Sequence, residues 1–326
     1  MALDPFLLEA VPVERPWGGR RLADYGTALP ADLAIGESWE VADLPQSVAP
    51  HVADPNSRVA AGPHVGVTLH ELIASHRGDL LCEVAPTSDG RFPLLVKLLD
   101  ARENLSVQVH PPQSYVGDHP GTRFKTESWY VVEAEPGAIL YLDLNRETQI
   151  EDVAEAFDSN AVVDLLTAVP AIAGSFHHVP AGLVHAIGAG VVIAEVQTPS
   201  DTTFRLYDWA SEYEREPRDI HKDESLQSIA LQPEAAYDLG PMSGEESRTL
   251  TDNDYYWIRE HVGLREQMGF GTEPGPRVVC VTSGTALVGD LEVRQGMTAI
   301  VPACAVLSSR IDLHIGSRVL EIGLPA

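Results

Sequence analysis

Between residues 255 and 326 the chain is written in short apolar runs closed by turn signals roughly every ten residues: RVVCVTSG, TALVGD, LEVRQG, MTAIVPA and RVLEIGL. Runs this short and this regularly punctuated restrict that part of the chain to a β-sandwich or barrel. The same pattern occupies much of the chain before it. SFHHVPAGLVHAIGAGVVIAEVQ and TTFRLYDW read as strands, ESWYVVEAEPGAILYLDL as two strands around a Pro-Gly turn, and FPLLVKLLDA as a buried apolar run. Two stretches change period. Leu69, Leu72, Ile73, Leu80 and Leu81 recur at helical spacing and predict a helix over 68–81, and residues 147–169 predict two short helices. The acidic, Gly- and Ser-bearing stretch 236–254 is the expected linker between an N-terminal part, 1–235, and a C-terminal β part, 255–326. An internal repeat supports two similar barrels. With Val179 placed on Val301, VPAGLVHAIGAGVVIAEV follows VPACAVLSSRIDLHIGSRVLEI, and His185 falls on Leu307, so only the first copy keeps a histidine there.

Composition removes several function classes. A formal charge of −26 argues against nucleic acid or an anionic membrane surface as partner. No apolar run approaches the ~18 residues of a membrane span, and the acid-bearing N-terminus lacks the basic start of a secretory signal. Cys82, Cys280 and Cys304 are too few and too scattered for a disulfide framework or a thiolate metal site, so a reduced, cytoplasmic protein is expected. Nucleotide chemistry is not indicated either: WGGR lacks the spacing of a phosphate loop, and no serine has nucleophile-elbow surroundings.

One strand carries the first sign of chemistry. In LSVQVHP, residues 105–111, Ser106, Gln108 and His110 share one face and Val107 and Val109 the other, because side chains alternate along a strand. Glu127 opens the next strand and His185 follows a Pro-Gly turn before another. One Gln, two His and one Glu make a nitrogen and oxygen donor set for a divalent first-row metal. Spacing alone leaves open the plainer reading, in which Glu127 caps a strand end and His185 lines a core edge. Lysine is scarce, with Lys97, Lys125 and Lys222 against 19 arginines. Lys125 lies two residues before Glu127 and would face the same side, where a nearby metal would disfavour its ammonium form and suit it to work as a base. Arg205, four residues after Asp201, suits an oxyanion or phosphate, or else a surface salt bridge. The remaining histidines, His51 among them, read as structural or solvated.

Taken together, these segments resemble the type I phosphomannose isomerases, in particular their shorter bacterial and archaeal form. RPWGG, GESWEV, FPLLVKLLDARENLSVQVHP, KTESWYVVEAEPGA, VPAGLVHAIGAGVVIAEVQ and SDTTFRLYDW carry the resemblance, which covers most of the chain. It implies a mainly β fold of two cupin-type (jelly-roll) barrels, with 1–235 the catalytic domain bearing the helical insertions and 255–326 a cupin-like domain without metal ligands. It also implies one zinc ion per chain held by Gln108, His110, Glu127 and His185, and interconversion of mannose 6-phosphate and fructose 6-phosphate through a cis-enediol. Arg205, Lys125 and Asp201 match the family's catalytic positions, with Lys125 or else a water on the metal as base at C2, Arg205 at the enediolate or phosphate, and Asp201 orienting Arg205 or helping to open the ring. Ser106 matches a serine at the substrate phosphate. The implied partner is a small sugar phosphate, with no nucleic acid or membrane, and the chain is expected as a monomer or weak homo-oligomer. Pro112, Gln113, Ser175, His177 and Cys82 depart from the family's usual residues without touching the ligand set. The competing readings are a cupin isomerase or epimerase for another sugar, a non-catalytic sugar-phosphate-binding cupin, and an iron cupin oxygenase, for which Gln108 is a poor ligand.

Overall fold

The computed structural model describes residues 3–325 except 160, 234–236, 245 and 264–266; of residues 158, 159 and 237 it describes the backbone alone. Seven strands form an antiparallel sheet in the order Tyr237–Leu239, Phe176–Val179, Glu127–Ala134, Val191–Gln197, Leu95–Ala101, Val11–Gly19, Ile35–Val41. Every residue of Ile35–Val41, Leu95–Ala101 and Val191–Gln197 is buried, because the sheet is covered on both faces. Its inner face places Leu99, Trp129, Val131 and Ile193 against Leu140 and Ile187 of a five-stranded sheet, ordered Phe204–Tyr207, Val107–Val109, His185–Ile187, Ile139–Leu144, Leu166–Pro170. Its outer face packs Val96, Leu98, Val192 and Val196 on Val278, Cys280, Ile300 and Leu320 and on Leu69, Leu72 and Leu80. FPLLVKLLDA is therefore near-continuously apolar because both of its faces meet a core.

Two glycines explain why RPWGG and GESWEV stand together. A Cβ on Gly18 would lie 2.4 Å from the Gly36 nitrogen, and one on Gly36 would meet Arg15 and the Trp17 ring at 2.6 and 2.7 Å. The close approach locks Val11–Gly19 onto Ile35–Val41 and so fixes where Arg15, Trp17 and Glu37 point.

The remaining strands form a second pair of sheets. Seven run in the order Ser247–Asp252, Trp257–Val262, Arg318–Gly323, Arg277–Ser283, Thr298–Val301, Phe6–Glu9, Arg58–Val59, and four in the order Met268–Gly269, Arg310–Leu313, Thr285–Val288, Leu291–Arg294. Val279, Val281, Val288, Val293, Ile311 and Val319 fill the space between them. Leu307, at the repeat position of His185, is 69% exposed and cannot aim a side chain into that core.

The mainly β expectation holds, and several local expectations are revised. The helix over 68–81 is Leu69–Leu81, started by a reciprocal Thr68/Glu71 cap. Of the two helices expected in 147–169, only Ile150–Ser159 forms. Val162–Leu165 is a single tight 3-10 turn and Leu166–Pro170 a strand paired to Ile139–Leu144, because that edge of the sheet needs a partner more than a short helix needs another turn. The stretch 236–254 is not a bare linker. Tyr237–Leu239 extends the N-terminal seven-stranded sheet and Ser247–Asp252 the C-terminal one, both as edge strands, while residues 236 and 245 lie outside the described residues. The division at 235 is also crossed at the N-terminus, where Phe6–Glu9 pairs with Thr298–Val301 in the C-terminal sheet. Gln113–Asp118 and Lys222–Ser228 form two further short helices.

Where the two halves meet, Glu40 is buried, and among the described residues no cation is paired with it. Burial pushes its carboxyl up to about 8, and the Ser38 and Thr298 hydroxyls offset only part of the effect. The unfolded carboxyl ionises near 4.5 while the folded one keeps its proton to about 8, so the folded state binds more protons in between and stability falls as pH rises through that window. The loss by pH 9 is on the order of 4 kcal/mol. Thermal melts from pH 5 to 9 should show it, and Glu40→Gln should flatten the decline; an unchanged slope in the variant would assign the decline to other groups.

Candidate metal centre and active-site cavity

The two inner sheets bring the four predicted ligands together. Gln108 lies on Val107–Val109 and pairs in register with His185 on one side and Arg205 on the other. His110 follows one residue past the strand end, and Glu127 approaches from the opposite sheet. The alternation read from LSVQVHP is present: Val107 and Val109 enter the core with Leu144, Val153 and Val184, while the Ser106 hydroxyl donates to the Gln108 Oε1 at 3.2 Å on the other face.

Glu127 is the hub. Its two oxygens lie 3.3 Å from His185 Nε2 and 3.4 Å from His110 Nε2, and all three residues are buried. The far nitrogens fix the tautomers. His110 Nδ1 donates to the Thr202 carbonyl at 3.0 Å and His185 Nδ1 to the Leu183 carbonyl at 2.8 Å, so each Nε2 turns a lone pair towards the carboxylate. Burial, then Lys125, pushes the His110 imidazole down to about 3; burial likewise lowers His185. Burial would raise the Glu127 carboxyl, but Lys125, His110 and His185 outweigh it and hold the group well below the usual range. Two neutral imidazole lone pairs thus face an ionised carboxylate, and among the described residues neither His110 Nε2 nor Glu127 Oε1 finds a hydrogen bond. A cation between them resolves that repulsion. The donor atoms of His110, Glu127 and His185 lie within 4.8 Å of one another, as a shared ion requires. Gln108 places its amide nitrogen 3.2 Å from His185 Nε2, and a half-turn of that amide presents its oxygen as a fourth donor. These residues therefore fit a divalent metal.

Beside the centre opens a cavity of about 510 Å³ whose lining includes Ser106, Gln108, Lys125, Asp201 and Arg205. Lys125 is buried, 2.8 Å from Glu127 and 3.9 Å from Glu195. Arg205 donates to the Asp219 carbonyl at 2.6 Å, and its buried Nε has no hydrogen-bond partner among the described residues. Burial, then the nearby Arg218, lowers the proton affinity of that guanidinium. Among the described residues no hydrogen bond or ion pair joins Asp201 to Arg205; the Asp201 carboxylate lies 3.8 Å from Arg15 and 3.6 Å from His51.

Several cavity residues escaped the sequence reading. Glu37, Lys97 and Glu195 line the cavity and form a buried alternating row: Lys97 is 3.6 Å from Glu37 and 3.3 Å from Glu195. Arg15 extends it, holding Glu37 at 2.7 and 3.3 Å. Burial lowers and the two carboxylates raise the Lys97 ammonium, with a net rise; burial raises the Glu195 carboxyl. A signal was available: Glu37, Lys97 and Glu195 are charges set inside fully buried strands, where a charge is stable only when paired.

The fold and site define a mainly β protein with a His/Glu/His/Gln centre, buried but for the half-buried Gln108, at the edge of a polar cavity. Residues 6–132 match the family model "Phosphomannose isomerase type I, catalytic domain". The chain is 36% identical over 231 residues to the mannose-6-phosphate isomerase of Streptococcus mutans, covering 70% of this chain and 68% of that protein. It is 37% identical over 236 residues to mannose-6-phosphate isomerase ManA of Bacillus subtilis, covering 71% and 70%. The crystal structure of the mannose 6-phosphate isomerase from Bacillus subtilis superposes with a TM-score of 0.82 at 25% identity, over 99% of this chain and 100% of that one. A zinc-bound mannose 6-phosphate isomerase structure shares the fold, with a TM-score of 0.76 at 16% identity, over 99% and 100% of the two chains. This chain belongs to the type I phosphomannose isomerase family.

Proposed function

We propose that the chain is a zinc-dependent isomerase that interconverts mannose 6-phosphate and fructose 6-phosphate through a cis-enediol. The observation that carries this reading is the convergence of Gln108, His110, Glu127 and His185 beside a cavity that also presents Lys125 and Arg205. Bound at these four side chains, zinc supplies Lewis-acid stabilisation of the negative charge that develops on the substrate's O1 and O2. The protein's own groups do the rest. Lys125 removes the proton from C2 of the aldose and returns it to C1, with Glu127 and Glu195 holding its side chain in place. Arg205 offers its unpartnered Nε to a substrate oxyanion. The Ser106 hydroxyl sits on the cavity wall where it can bond the phosphate.

Among the described residues no helix is long and apolar enough to cross a membrane. We place the protein in the cytoplasm, as a monomer or weak homo-oligomer that does not bind nucleic acid. Its three unpaired cysteines and its net charge of −26 support that reading. The test is formation of fructose 6-phosphate from mannose 6-phosphate by the zinc-loaded chain. Turnover in the ordinary enzymatic range of about 1–10³ s⁻¹ is expected. A fully loaded site inert towards this substrate would refute the assignment and favour another sugar.

A further inference from the structure

We propose that His51 is the acid–base group that opens the sugar ring, with Asp201 as its positioning residue; this rests on the isomerase reading above. His51 stands in SVAPHVADP, on the loop between the Ile35–Val41 and Arg58–Val59 strands, and lines the same cavity as Gln108 and Lys125. Its Nε2 lies 3.6 Å from Asp201 Oδ2, the ring packs edge-on against Trp39 at 6.4 Å, and about a third of the side chain is exposed. The two oxygens of Asp201 have separate partners: Oδ2 faces His51, while Oδ1 faces Arg15 at 3.8 Å, itself fastened to Glu37. The carboxylate thus lies between the Arg15 guanidinium and the His51 ring. Nδ1 of His51 has no hydrogen-bond partner among the described residues, which leaves it free to address a ligand.

A hexose phosphate rests mainly as a closed ring, and proton transfer between C1 and C2 needs the free carbonyl. In the pyranose the O1–H proton passes to His51, the C1=O1 bond forms, the C1–O5 bond breaks with its electron pair going to O5, and O5 takes the proton back from the imidazolium. Because O1 and O5 are both bonded to C1, one imidazole reaches both, and no proton is gained or lost. The nearby Asp201 carboxylate stabilises the transient imidazolium, the role such a pair plays in general acid–base catalysis. The charged groups facing His51 are Arg15, Glu37, Lys97 and Asp201. Burial and Arg15 lower its proton affinity more than Asp201 and Glu37 raise it, so the ring starts neutral at pH 7, ready to act as a base.

The test uses the zinc-loaded full chain and its His51→Gln variant, after matched zinc content and melting temperature are confirmed. Exchange NMR reads the enzyme-catalysed interconversion of the mannose 6-phosphate anomers, and steady-state kinetics read isomerisation. The variant should lose about 100-fold in anomer exchange, the lower end of what an acid–base group supplies. Its kcat should fall while KM changes little, and the wild-type fall in kcat towards acid pH should disappear. In Asp201→Asn, loss of the carboxylate lowers the proton affinity of His51, so that acid limb should move to lower pH; a limb that stays in place would overturn the role of Asp201. Wild-type anomer exchange in His51→Gln, or a raised KM with unchanged kcat, would overturn the role of His51. If the isomerase reading itself fails, the wild-type chain shows no turnover at all, which is a different result.

Discussion

His185→Ala is expected to strip the metal from the chain and leave the fold standing. The histidine is fully buried, with Nε2 3.3 Å from Glu127 and 3.2 Å from Gln108, and Nδ1 held by the Leu183 carbonyl. Removing it deletes one donor and also loosens Gln108, its amide partner. Loss of an outer-shell partner alone costs metal sites about 10–100-fold in affinity, and loss of a ligand should cost more. The same change opens a small cavity beside Trp129, whose ring lies 5.2 Å from the imidazole, so a loss of stability on the order of 2 kcal/mol accompanies it. Zinc analysis separates the two effects. A histidine that only filled space would lower stability and leave zinc near stoichiometric; a ligand loses both zinc and turnover.

Lys125→Met is expected to retain zinc and lose turnover. The ammonium is buried 2.8 Å from Glu127, so it touches the metal centre without offering it a donor while protonated. Methionine fills a similar volume and carries no proton, and the fall in kcat should be roughly 10²–10⁴-fold, the range of a general acid–base group. Lys125→Arg adds a discriminating case. It restores the charge beside Glu127 but holds its proton too tightly to pass it on, so a charge role would be rescued and a base role would not. Near-normal kcat in Lys125→Met, with metal intact, would remove this residue from the chemistry.

Much of the site was legible because it is local. Gln108 and His110 share a face through the two-residue period of a strand, and Lys125 and Glu127 do the same. Their meeting with His185 depends on which strands pair, a long-range fact that spacing does not carry; the family resemblance supplied it. The charges of the cavity were hidden for another reason. Glu37, Lys97 and Glu195 sit in strands whose apolar character announces a core, and only the register Glu37↔Leu99 and Glu195↔Lys97 sets the three side by side. His51 had no strand period to betray it, since it comes from a loop. LLTAV is a short apolar run that fits either period, and sheet pairing makes it a strand. The Phe6–Glu9 strand joins Thr298–Val301 from the far end of the sequence, a pairing that no local signal encodes.

If Gln108, His110, Glu127 and His185 form the metal site on which mannose 6-phosphate isomerisation depends, turnover by chelator-stripped protein should start at zero, rise linearly as zinc is added back, and reach a plateau at one zinc per chain. Full turnover by the stripped protein before any metal is added would exclude these residues as an essential metal site.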